Sequence, residues 1–130
     1  MKHIIFTLFI VLITITEING QTSNGSASEI ETFKGEWTID LRPSPDAQGY
    51  YQKFKVTSVN EKSFTGSFYN SKIRNAQLNT QWRRLYFAFT TSDGTNDYYH
   101  SGYFADGKVY GISYCPGRKL TAPWTGTQTF

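Results

Sequence analysis

The chain has 130 residues, with 13 Lys and Arg against 10 Asp and Glu, and one cysteine. A net charge of +3 with no long basic run argues against nucleic acid as a partner. A single cysteine excludes an intrachain disulfide, so packing alone must hold the fold. The 17% of residues that are aromatic can supply it, because each buried ring removes roughly 150–250 Å² from water.

Residues 1–20 read as a cleaved signal peptide. Lys2 and His3 precede an apolar run from Ile4 to Ile15, followed by Thr16, Glu17, Ile18, Asn19 and Gly20. The run is shorter than the ~20 apolar residues a membrane span needs. The small Gly20 places the cut before Gln21, and no cysteine follows the run to carry a lipid. The expected product is secreted or periplasmic, with no membrane attachment after cleavage. Residues 21–32, QTSNGSASEIET, read as a flexible polar linker.

From residue 33 to 130 the texture is that of one all-β domain: short runs of β-branched and aromatic residues punctuated by Gly, Asn, Asp and Pro. The runs are Glu36–Arg42, Tyr50–Val59, Ser63–Tyr69, Lys72–Thr80, Arg83–Thr91, Asp97–Ala105, Lys108–Cys115 and Pro123–Thr129. Alternation supports them. Trp37, Ile39 and Leu41 share one face of the first, and Leu85, Phe87 and Phe89 one face of the fifth. Short links predict an antiparallel up-and-down meander of about eight strands, which loses its free edges by closing into a barrel. Asp106-Gly107 is the pair that a two-residue type I′ hairpin favours. That turn sets Ala105 opposite Lys108, Tyr103 opposite Tyr110, Ser101 opposite Ile112 and Tyr99 opposite Tyr114. One face of the hairpin is then a tyrosine ladder. The other carries His100 among small residues. Which face points inward is open.

Gly35-Glu36-Trp37 at the start of such a meander resembles the opening of the calycins, the lipocalin-like and avidin-like barrels. The avidin side is nearer: Gly35, Trp37 and Leu41 match its first strand, Phe64-Thr65-Gly66-Ser67-Phe68 a later hairpin, and Trp124 to Thr127 its last strand. The resemblance implies a barrel with Gly35, Trp37 and Trp124 in structural roles, Trp37 plugging the floor. It also implies where biotin-binding groups would stand, and there this sequence has Ile39 in place of an asparagine and Phe68 in place of a tyrosine. Biotin chemistry is therefore not expected.

No arrangement of residues forces a reaction, so no catalytic set, cofactor or metal site is expected. His100 and Cys115 share a face and form the nearest approach to a nucleophile and base, but nothing orients the imidazole. Asp93-Gly94-Thr95-Asn96-Asp97 has oxygen ligands in one loop without the spacing of a calcium motif, and reads as a polar turn. Asp40 has no acidic partner. The residues left for ligand contact are Asp40, Tyr98, His100, Tyr103, Tyr110 and Tyr114, where rings can stack on a small molecule or line an apolar pocket. The expected function is a binding module for a small, apolar or ring-shaped molecule other than biotin. The alternative is a filled barrel whose tyrosine face associates with a second copy.

Overall fold

The computed structural model describes residues 27–130. The expected signal peptide, residues 1–20, and residues 21–26 of the expected linker lie outside the described residues.

The expected linker runs to residue 32, yet Ala27–Phe33 form a seven-residue helix, α1. Alone, a helix this short would not persist, since roughly 12–15 residues are needed for marginal stability in water. Tertiary contact holds it. Phe33 is fully buried and packs against Phe54, Phe64 and Phe87 with ring centroids 6.0, 5.4 and 5.3 Å away. Composition gave no sign of this anchor, because it depends on one ring at the end of a polar segment.

Nine strands follow: β1 (Gly35–Asp40), β2 (Tyr51–Val59), β3 (Phe64–Phe68), β4 (Ser71–Lys72), β5 (Arg74–Asn79), β6 (Leu85–Ser92), β7 (Asp97–Ala105), β8 (Lys108–Cys115) and β9 (Leu120–Gln128). All neighbours are antiparallel, in the order β4-β3-β2-β1-β9-β8-β7-β6-β5, so β1 and β9 join the two ends of the chain. The result is a nearly closed up-and-down barrel. The seam lies between β3 and β5. It is bridged by Ile73 N to Gly66 O at 3.0 Å, Leu78 N to Lys62 O at 2.8 Å and Ser63 Oγ to Ala76 O at 2.7 Å. The ninth strand arises because the expected fourth run splits around Ile73, beside Asn75 with φ 51°.

The last strand starts at Leu120, three residues before the expected start, and Pro123 lies inside it. Pro123 pairs with Ile112 of β8, whereas β1 covers β9 only from Thr125 onward. Its missing N–H therefore falls on a locally free edge, where proline is tolerated.

The β7–β8 hairpin has the expected register, from Ala105 opposite Lys108 to Tyr99 opposite Tyr114, with Asp106 and Gly107 at φ 53° and 73°. His100, Phe104, Val109, Ser113 and Cys115 are buried, while Tyr99 and Tyr114 are exposed. The His100 face is thus the inner one.

Aromatic rings fill the lower and middle barrel. Trp37 is fully buried, packs edge-on to Phe104 and donates its indole N–H to the Phe33 carbonyl at 3.0 Å. Helix α1 and Trp37 together close this end. Higher up, Gly102 and Gly111 face each other between Phe87 and Trp124. A Cβ on Gly111 would lie 2.2 Å from Trp124 Cζ2. Two small residues here give two large rings their space.

Candidate functional site

Above Trp124 the filling stops. A cup of about 390 Å³ opens at the end of the barrel opposite α1, with Phe68, Leu41, Leu120 and Ala122 on its walls. Thr91, His100 and Ser113 form its floor, and Tyr50, Tyr69, Asp93, Tyr98 and Arg118 its rim.

The floor is a linear polar network. Trp124 Nε1–H donates to Ser113 Oγ at 2.9 Å. Ser113 Oγ meets His100 Nδ1 at 2.7 Å, and His100 Nε2 meets Thr91 Oγ1 at 2.9 Å. Thr91, His100 and Ser113 are 5%, 4% and 4% exposed. The imidazole also stacks on Phe89, 4.6 Å between centroids and 21° between planes, and touches Phe68 at 4.4 Å. Burial in this apolar setting pushes His100 down to a pKa of about 4, so it is neutral at pH 7.

The rim carries the charges. Asp93 Oδ1 accepts the backbone N–H groups of Asn96 (2.7 Å) and Thr95 (2.9 Å), and Oδ2 accepts the Tyr98 hydroxyl at 2.8 Å. These bonds, led by the one from Asn96, hold its carboxyl below the usual carboxylate range. The loop is therefore an ordinary polar turn whose carboxylate is already engaged. Arg118 Nη1 donates to the Tyr98 oxygen at 3.0 Å, and the Tyr50 and Tyr69 hydroxyls bond to each other.

A second hollow lies outside the wall. It is an open groove of about 850 Å³ that includes Tyr86, Tyr103, Tyr110, Ile112 and Pro123, reaches Trp124 between Gly102 and Gly111, and has Asp40 and Arg42 at one end. Tyr103 and Tyr110 stack at 5.1 Å and 18°, and the Arg84 guanidinium sits 4.8 Å from the Tyr103 centroid. Asp40 is committed to local structure. Its Oδ2 accepts Arg42 Nε at 2.7 Å and Nη2 at 2.5 Å, and Oδ1 accepts the backbone N–H of Arg42 at 3.0 Å. The Arg42 guanidinium lowers the Asp40 pKa. This pair pins the turn between β1 and β2.

The six residues expected to meet a ligand thus divide. Tyr98 and His100 line the cup. Asp40, Tyr103 and Tyr110 line the groove. Tyr114 lines neither and lies on the outer face, 6.4 Å from Tyr99. Among the structural positions, Gly35 has φ 136°, and a Cβ there would meet the Gln128 amide at 2.9 Å. Trp37 closes the floor of the barrel, and Trp124 underlies the cup. Cys115 is a buried free thiol; both imidazole nitrogens are taken by Ser113 and Thr91 instead. Ser113, Thr91 and Arg118 were missed. The hairpin register already set Ser113 opposite His100, but Thr91 required the β6–β7 pairing across Ser92 to Asn96.

Among the described residues, no group of three or more His, Cys, Asp or Glu gathers as a metal site would require. The fold and the cup define a small, nearly closed antiparallel β-barrel, consistent with a calycin-like fold. Comparison with protein-family models, curated proteins and solved structures gives no match to this chain.

Proposed function

We propose that this protein acts after export as a non-enzymatic binding module, holding one small, largely apolar or ring-shaped molecule in the mouth of its barrel. The carrying observation is the cup: about 390 Å³, apolar on its walls, with three buried polar side chains converging on its floor. Ligand sites in proteins combine those features, and barrel mouths are a frequent place for them. Likeness to the avidin-like opening at Gly35, Trp37 and Leu41 supports the same reading of the fold. It does not extend to biotin. Ile39 is fully buried in the packed interior, and Phe68, on the cup wall, offers no hydroxyl.

Binding is favoured over catalysis by the state of the floor. Ser113 and His100 stand at hydrogen-bond distance, but no carboxylate orients the ring, and Ser113 also holds the Trp124 N–H. An imidazole with a pKa of about 4 is a poor base at neutral pH.

The test is native mass spectrometry of the protein purified from its own host. A mass excess of one small molecule per chain is the expected result. A chain that carries none, and takes up none from the host's small-molecule extract, contradicts the reading. The same spectrum tests a second reading, favoured by the outer face, where Tyr86, Tyr99, Ile112 and Tyr114 are each more than two-fifths exposed. Contiguous exposed apolar surface of this kind marks interaction sites. A dimeric mass that Tyr99→Ser and Tyr114→Ser together reduce to a monomer would support association through that face.

A further inference from the structure

The floor of the cup contains a fixed number of hydrogens. Trp124 Nε1, Ser113 Oγ and Thr91 Oγ1 bring one each, and a neutral imidazole brings one more. Three contacts join these four groups in a line, and each consumes one hydrogen. One hydrogen is therefore left over in either tautomer. With the ring proton on Nε2, Ser113 donates to Nδ1, the imidazole donates to Thr91, and the Thr91 O–H remains. With the proton on Nδ1, Thr91 donates to Nε2. Ser113 then accepts from both Trp124 and the imidazole, and its own O–H remains. The indole end cannot reverse, because an indole N–H only donates. Thr91 and Ser113 are both more than nine-tenths buried and both line the cup. A buried donor with no further acceptor among the described residues is costly to leave unpaired, so the hollow above it is the place for one.

We propose that the molecule bound here carries a neutral hydrogen-bond acceptor, of the carbonyl or ring-nitrogen type, on the flat end that goes in first, and that this acceptor takes the spare hydroxyl hydrogen of the Thr91–His100–Ser113 floor. This rests on the mouth being the ligand seat. Charge selects against ions at that depth. The floor holds no charged side chain, and a carboxylate would trade its hydration for one neutral donor. A cation would find no carboxylate there, since Asp93 stands at the rim with three hydrogen bonds already accepted. The walls favour a ring over a chain: Phe68 offers an aromatic surface beside the imidazole, and Leu41 and Leu120 supply apolar contact.

Calorimetric titration of the full chain at pH 7 with four single-ring probes tests this: benzamide, toluene, benzoate and benzylamine. Benzamide is expected to bind tightest. Toluene should be at least fivefold weaker, the smallest gap expected when a buried donor is left unpaired. Benzoate and benzylamine should be weaker than benzamide. Ala122→Trp, which fills the cup from β9, should abolish benzamide binding. Toluene within twofold of benzamide overturns the inference and leaves the mouth as a ligand seat. So does tighter binding of either ion. Undiminished benzamide binding by Ala122→Trp places the site elsewhere. Failure of all four probes overturns the inference, and only the additional absence of any retained host molecule overturns the ligand reading.

Discussion

Replacing Ser113 with alanine removes one oxygen from the middle of the polar floor. Two groups depend on it. Trp124, 3% exposed, loses the acceptor of its indole N–H, and His100 loses the partner of Nδ1 while keeping Thr91 at Nε2. A buried polar group left unpaired costs about 1–3 kcal/mol. The indole bears that cost in full. The imidazole bears less, because its proton moves to Nε2 and one bond survives. The expected loss is about 2–4 kcal/mol. For a domain of about 100 residues this lowers Tm by roughly 8–32 °C, since each kcal/mol shifts it about 4–8 °C. Urea unfolding, followed by circular dichroism, measures the loss, and an unchanged m-value shows that native and unfolded states keep their compactness. A change below about 0.5 kcal/mol would contradict a sealed polar floor. It would mean that water reaches the indole and the imidazole, and that the floor is not sealed.

Three further outcomes follow from the same geometry. His100 is held at about 4 against an ordinary value near 6.5, so below pH 6.5 the unfolded chain binds a proton that the folded chain refuses. Stability is full above pH 6.5 and falls by about 3 kcal/mol as pH drops to 4, at about 1.4 kcal/mol per tenfold difference in proton affinity; denaturant midpoints across that range should show a slope that His100→Gln removes. Gly111→Ala places a methyl 2.2 Å from Trp124 Cζ2, and overpacking of this kind costs about 1–3 kcal/mol, to be read as a lower midpoint with a shifted Trp124 fluorescence. Biotin should bind far more weakly than nanomolar in calorimetric titration, because Ile39 and Phe68 offer it no hydrogen bond, and a nanomolar constant would move the ligand site to the groove, where Asp40 and Ser44 are lining residues.

Strands were legible where a local rule decides them. Asp106-Gly107 dictates a two-residue turn, and that alone sets every pairing of β7 with β8, including Ser113 opposite His100. Features that depend on distant contacts were not legible. Helix α1 exists because Phe33 finds three phenylalanines from β2, β3 and β6. Pro123 sits within a strand because β1 stops short of it. The inner face of the hairpin was ambiguous because a tyrosine ladder and a histidine face are equally plausible linings from composition. Space decided it: the facing pair Gly102 and Gly111 accommodates Phe87 and Trp124, which belongs inside. The cup itself depends on how high the aromatic filling rises, a sum over many rings that no motif encodes.

The proposed seat of the ligand is the cup above Trp124. Trp37 lies in the sealed floor of the barrel, Trp124 beneath the cup and also on the wall of the outer groove, and Trp82, 67% exposed, in the turn before β6. A nitrogen-edited NMR titration with benzamide follows the three indole N–H signals and the ring nitrogens of His100, which lines the cup and not the groove. The Trp124 and His100 signals are expected to move on saturation while those of Trp37 and Trp82 stay in place. Movement of Trp124 with His100 unmoved would place the ligand in the outer groove, and that result, or movement of Trp82 alone, would contradict a seat in the cup.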